Sequence, residues 1–223
     1  MPTTNTFAGT ADSITGQGQV VSWAEARRNA TTSGNYHNNS LSSYNFGVYN
    51  IYSSARGGNR FACRRSYFPF DLSGGSGTCT AATVIIYLDN LGSTGNPSRV
   101  ILVAATALDG STADHGNCFS SGTTLGTSYS DVVSASATAG YHTFTMTSDA
   151  ITDINSALGS GTLTMALLGY DFDHQNTAPS LDGDYTRISI RYANYSGTLS
   201  DPYISVVTEA AVTDNATFFG TNF

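Results

Sequence analysis

Arg64-Arg65-Ser66-Tyr67-Phe68-Pro69-Phe70-Asp71-Leu72 leads, through Ser73-Gly74-Gly75-Ser76-Gly77, to Ala82-Thr83-Val84-Ile85-Ile86-Tyr87-Leu88-Asp89. Aromatic and β-branched residues dominate both runs, and a glycine-serine turn parts them. They therefore predict consecutive strands of one sheet.

Runs of the same kind recur on either side, each bounded by Gly, Asn, Asp or Pro. They are Gln19–Trp23, Ser43–Tyr52, Val100–Thr106, Tyr141–Thr147, Leu163–Tyr170, Tyr185–Tyr192 and Tyr203–Thr208. Along Thr186-Arg187-Ile188-Ser189-Ile190-Arg191-Tyr192, alternation puts Ile188, Ile190 and Tyr192 on one face. Arg187, Ser189 and Arg191 fall on the other, which predicts a strand with one dry and one wet face. Val100-Ile101-Leu102-Val103-Ala104-Ala105 is apolar on both sides and predicts a central strand covered on both faces. One segment has helical spacing instead: Ile151, Ile154 and Leu158, with Ser148 as the cap and Gly159 as the stop. These elements predict an all-β, two-sheet antiparallel jelly-roll sandwich with one short helix, and a C-terminal extension. Residues 1–208 form the sandwich and 209–223 an arm carrying Val212, Phe218, Phe219 and Phe223.

Composition narrows the function classes. Of 223 residues only 11% are charged, yet 40% are apolar, enough for a folded core rather than disorder. There is no lysine, only nine arginines, and the net charge is −7. An acidic chain with cations bunched only at Arg27-Arg28 and Arg64-Arg65 lacks the basic face that a nucleic-acid backbone requires. Those arginine pairs are expected to bond carboxylates and loop carbonyls. A Schiff-base mechanism and a Lys–Asn isopeptide cross-link are excluded by the missing lysine. Met1-Pro2-Thr3-Thr4-Asn5-Thr6-Phe7 does not read as a secretory signal, and no apolar run has bilayer-spanning length, so membrane insertion is not expected. Cys63, Cys79 and Cys118 are expected as free buried thiols.

Chemistry-bearing residues are few. Asp171, Asp173, Asp182 and Asp184 flank one Pro-containing loop and offer hard oxygen ligands for a structural calcium, the sole cofactor the sequence suggests. The alternative is that these aspartates bond their own backbone turns. His37, His115, His142 and His174 are scattered, and no Gly-x-Ser-x-Gly elbow opens a helix, so no catalytic residue is assigned. Tyr36, Tyr44, Tyr49 and Tyr52 cluster among Asn and Ser, a combination suited to sugar stacking or protein contacts, or to aromatic cross-strand pairs. Tyr36, Tyr44 and Tyr49, with Phe218, Phe219 and Phe223 of the arm, are the candidate partner-binding residues.

The Arg-Ser-aromatic strand ending in Phe-Asp-Leu, then a strand entered through Ala-Thr-Val, resembles DNRLRE-type β-sandwich domains and related jelly-roll proteins encoded by bacteriophages. Ser22-Trp23-Ala24-Glu25-Ala26-Arg27 resembles their Trp-Ala-x-x-Arg element. Gly169-Tyr170-Asp171-Phe172-Asp173-His174-Gln175-Asn176-Thr177-Ala178-Pro179 resembles their Asp-x-Asp-x-x-Asn-x-Ala-Pro loop. The likeness spans most of residues 10–208. It implies a non-enzymatic virion structural protein made in a host cytoplasm and displayed on the phage surface, with capsid decoration ahead of a tail or fibre position. Partners would be other virion proteins and further copies of the chain; a ring such as a trimer follows if each arm reaches its neighbour. The competing reading is a carbohydrate-binding module or a host-receptor-binding tail domain that takes a glycan.

Overall fold

The computed structural model describes residues 3–7, 12–28, 33–40, 43–55, 58–90, 98–135, 139–180, 185–196 and 201–209. In chain order the strands are β1 (Thr3–Phe7), β2 (Ser13–Val20), β3 (Tyr36–Asn38), β4 (Ser43–Ala55), β5 (Gly58–Asp71), β6 (Thr78–Asn90) and β7 (Arg99–Ala105). Then come β8 (Phe119–Ser121), β9 (Thr124–Leu125), β10 (Val133–Ser134), β11 (Gly140–Thr145), β12 (Thr162–Gly169), β13 (Thr186–Arg191) and β14 (Tyr203–Glu209). Among the described residues two α-helices intervene, α1 (Trp23–Arg27) and α2 (Ser148–Ala157), with a 3-10 turn at Thr112–Gly116 and a π-type turn at Tyr170–His174. Among the described residues no helix is long and apolar enough to cross a membrane.

The two runs that decided the fold in the sequence become β5 and β6, and both change partners along their length. β5 pairs β4 through its first half and β12 through its second, with β2 along the opposite edge. β6 pairs β14 and then β13, with β11 opposite. The expected antiparallel all-β sandwich results, but its layers are not separate sheets. Among the described residues, twelve strands form one continuous hydrogen-bonded network that folds over on itself, with β8–β9 as a detached ribbon.

Phe68 and Phe70 of β5, Leu102 of β7 and Met165 and Leu167 of β12 meet Val84, Ile86 and Leu88 of β6 and Ile204 and Val206 of β14 in the main core. Burying each such side chain stabilises the fold by roughly 1.5–3 kcal/mol. Ile188 and Ile190 are fully buried and Tyr192 is 1% exposed, whereas Arg187, Ser189 and Arg191 are half-buried, the predicted alternation. β7 is covered on both faces as expected: Val100 and Leu102 enter the main core, while Ile101 and Val103 meet a second cluster containing Tyr67, Cys118 and Phe119. Its place is next to the sheet's end, between β12 and β10, rather than central.

Two local expectations are corrected. The segment expected as a strand at Gln19–Trp23 ends at Val20 and turns into α1, because the Ser22 hydroxyl accepts from the Glu25 amide (3.2 Å) and caps a helix. Helix α2 forms where predicted, but its cap is Thr147, whose hydroxyl accepts from the Ala150 amide (3.4 Å). Its Asn155 clamps β6 by bonding both the amide (2.7 Å) and the carbonyl (3.1 Å) of Cys79.

Candidate functional site

Behind β5, on the face away from the main core, Cys63, Arg65 and Tyr67 are all fully buried. A guanidinium cannot lie dry without partners. Arg65 Nε donates to Asp173 Oδ2 (2.6 Å) and Nη2 to Asp173 Oδ1 (2.8 Å), a bidentate pair. Its remaining donors reach the carbonyls of His115 (2.6 Å) and Arg27 (2.7 Å). Arg27 lies alongside: its Nε donates to the Asp173 carbonyl (2.7 Å) and its Nη1 to that of Thr123 (3.3 Å). The Phe119 ring lies 4.9 Å from the Arg65 guanidinium and 5.0 Å from that of Arg27.

Local turns deliver each member. The π-type turn after β12 closes through the Gln175 amide to the Tyr170 carbonyl (3.1 Å) and holds Asp173. The 3-10 turn carrying His115 is organised by Asp114, which accepts from the amides of Asp109 (2.9 Å) and Gly110 (3.0 Å) and from Asn117 Nδ2 (2.9 Å). Helix α1 supplies Arg27 and the Ala26 carbonyl, 3.3 Å from His115 Nε2. Burial pushes the Asp173 carboxyl up, but the Arg65 guanidinium and then Arg27 pull it further down, below the usual carboxylate range. Burial, then the Arg65 charge, drives His115 well below its ordinary value and keeps it neutral. Burial likewise raises the Cys63 and Cys118 thiols, so neither is a thiolate. Arg65, His115, Asp173, Cys63 and Cys118 are all 0% exposed, out of reach of any substrate. The chemistry of this centre is cohesion: it ties segments up to 146 residues apart.

Among the described residues, two surface grooves stand out. The first has a volume of about 260 Å³ and forms where β5 runs on beyond the sandwich core. Tyr49, Ile51 and Ser53 of β4 stand opposite Arg64, Ala62 and Arg60 of β5, so all six share one face. Ala62 and Ile51 make a low apolar floor; Arg64 and Arg60 stand at its two ends. The Arg64 guanidinium lies 4.8 Å from the Tyr36 ring and 5.7 Å from the Tyr49 ring. A Cβ on Gly16, the cross-strand neighbour of Arg64, would sit 2.5 Å from Arg64 Cγ, so a glycine there gives the arginine its room. Along the flank, β2 bulges between Gln17 and Val20 and holds Gln19 at φ 62°, a left-handed conformation that costs a non-glycine residue energy. Asn35 fixes that bulge by bonding the amide and the carbonyl of Gly18 (3.1 Å each).

The second groove, about 160 Å³, is lined by Tyr87, Asp89, Ser189, Arg191 and Tyr195. Arg191 sits between the rings of Tyr87 (3.8 Å) and Tyr195 (4.5 Å), and Tyr141 meets Tyr87 edge-on at 5.4 Å.

No family model matches the chain, and no curated protein matches it. A solved structure, the K1 cleaved adhesin domain of Lys-gingipain from Porphyromonas gingivalis W83, aligns at 9% identity over 75% of this chain and 83% of its own, with a TM-score of 0.27.

Of the four aspartates expected around a cation, Asp173 has its carboxylate oxygens engaged by Arg65, and Asp171 pairs with Arg99. A cation would have to displace both guanidinium groups; Asp182 and Asp184 lie outside the described residues. Among the described residues no three His, Cys, Asp or Glu side chains group as metal ligands. Tyr36 and Tyr49 converge on Arg64; Tyr44 lies on β4 opposite Ile190 in register. Phe218, Phe219 and Phe223 lie outside the described residues. Cys63, Cys79 and Cys118 are free and buried, as expected. The expected role of the arginine pairs holds for Arg27 and Arg65, yet the sequence reading missed that Arg65 is the hub. The available signal was an arginine between Cys63 and Tyr67 on a strand, a position that predicts burial and hence a carboxylate partner.

Proposed function

We propose that this protein is a non-enzymatic virion structural protein, a β-sandwich displayed on a phage surface, with capsid decoration favoured over a tail or fibre position. The observation that carries this reading is the sealed Arg65–Asp173 centre. The groups in it that could act as acid, base or nucleophile are fully buried and already bonded to the protein. What the centre offers is cooperativity, since losing one partner would strand a desolvated charge and its four distant segments therefore stay together or come apart together. A particle protein working outside the cell has need of such a lock. The Trp-Ala-x-x-Arg and Asp-x-Asp elements that resemble phage jelly rolls supply Arg27 and Asp173 of this centre.

In this reading the chain is made in a host cytoplasm and joins other virion proteins, with the arm at 209–223 docking on a neighbouring copy or a shell protein. Mass spectrometry of gradient-purified particles, with gold-labelled antibody to the sandwich, tests it. The chain should appear at fixed stoichiometry on the particle exterior, and its absence from particles would overturn the reading. Deleting residues 212–223 should lower the solution mass or prevent incorporation; unchanged assembly would remove the arm from the proposal.

A further inference from the structure

We infer that Asp12 and Asp201 form a calcium site, a two-carboxylate clamp where the entries to β2 and β14 meet the end of β13. The inference concerns the isolated chain and stands independently of its place on a virion. Asp12 immediately precedes β2, and Asp201 stands two residues before β14. The amide of Ala193, two residues beyond β13, donates to Asp12 Oδ2 (3.0 Å) and brings in the third segment. Strand register explains the meeting. Along β6, β13 leaves at Leu88 and β14 takes over at Ile85, so Ala193 and Asp201 both lie beside that handover.

Asp12 is 3% exposed and Asp201 7%, and among the described residues the Oδ1 atom of each is buried without a hydrogen-bond partner. No guanidinium pairs with either carboxylate among those residues, yet the Asp201 charge acts directly on Asp12. Other buried carboxylates of this protein are satisfied. Asp173 holds Arg65 in bidentate fashion, and Asp114 accepts from two amides and an asparagine. Two neighbouring buried carboxylates with orphaned oxygens and no counter-charge are costly. A proton on one of them satisfies a single acceptor and leaves the other charge unpaired; a divalent cation neutralises both. Calcium fits the donors, because it takes oxygen ligands in irregular geometry and completes its shell with carbonyls and water, whereas magnesium demands a near-ideal octahedron. Zinc is disfavoured by the lack of a histidine or cysteine grouped with these aspartates among the described residues. The bound ion would tie β2, β13 and β14 together at one point.

The test is calorimetric titration of the chelator-stripped full chain with calcium chloride at neutral pH. Magnesium chloride is the competing cation, and Asp131→Asn, at an exposed aspartate elsewhere, is the control variant. One calcium should bind per chain and raise the melting temperature, and magnesium should bind more weakly. Asp12→Asn and Asp201→Asn preserve side-chain shape, and the first keeps an acceptor for the Ala193 amide. Each should weaken calcium binding by about tenfold or more, the loss of one charged ligand, while Asp131→Asn should not. Melts in chelator confirm that the variants fold. Terbium, a luminescent substitute for calcium, gives an independent location: excitation of tyrosine should sensitise it, since Tyr192 and Tyr203 flank the site, and both variants should lose the signal. Three results would overturn the proposal: no saturable calcium binding below about 10 mM, equal affinity for magnesium, or calcium binding indifferent to either aspartate. Melting that responds to pH but not to calcium would make a proton the occupant and would overturn it too.

Discussion

Asp173→Asn leaves Arg65 in place with no counter-charge in a site that excludes water. Breaking one side of such a buried pair costs about 3–5 kcal/mol. Denaturant unfolding should show that loss for Asp173→Asn. Arg65→Met combined with Asp173→Leu should lose less than the sum of the two single changes, since each residue's burial is unfavourable only without the other. Because the folded state holds the Asp173 carboxyl below its ordinary value, its contribution is present above about pH 4 and is lost as pH falls further. Asp12 has the opposite sign. Burial, opposed by a hydrogen bond from the Ala193 amide and reinforced by the Asp201 charge, pushes its carboxyl from 3.8 up to about 8. The folded protein binds that proton more tightly, so the contribution is whole below about pH 4 and is lost progressively as pH rises to about 8. Thermal melts from pH 5 to 9 should fall for the native sequence and stay flatter for Asp12→Asn; parallel curves would refute the assignment.

Strand β13 shows at the element scale how alternation becomes energy. Ile190→Asp puts a carboxylate without a counter-ion into the main core and should abolish soluble expression. Arg187→Ser removes a half-buried side chain from the other face and should leave a soluble, folded protein with a modestly lower melting temperature. If the arginine variant were the insoluble one, the faces of β13 would be reversed. The elements whose apolar period was long and clean, β5, β6, β12, β13 and α2, were legible in the sequence for this reason. Helix α1 was not, because its five residues carry too little periodicity. Ser22-Trp23-Ala24-Glu25 is nonetheless a capping pattern that announces a helix start.

For the whole molecule, the sandwich and the sealed centre enclose every cysteine, and burial raises each thiol above its ordinary value. Ellman's reagent at pH 8 should find no reactive thiol in the native protein and three after denaturation. A native-state reaction at Cys63 or Cys118 would mean that the cover formed by α1 and the 115–119 loop opens readily, and one at Cys79 that α2 lifts from β6. Continuity of the twelve-stranded network through β5 and β6 also predicts a single cooperative unfolding transition, because neither layer has a hydrogen-bonding boundary at which to separate.

The fold class followed from residue order alone. Period-two alternation and glycine-bounded apolar runs act over a few residues, and a chain with so little charge has few other ways to bury them. Only the tertiary structure decided which polar residues meet. Arg65, Asp173, His115 and Arg27 come from separate strands and turns, and nothing in their local sequence encodes the distances between them. The same holds for the groove, where the β2 bulge lies beside Arg64 because of strand register rather than proximity along the chain. Local sequence fixes which face a side chain takes; the packing of distant segments, driven by burial and constrained by the need to pair every buried charge, fixes what that side chain touches.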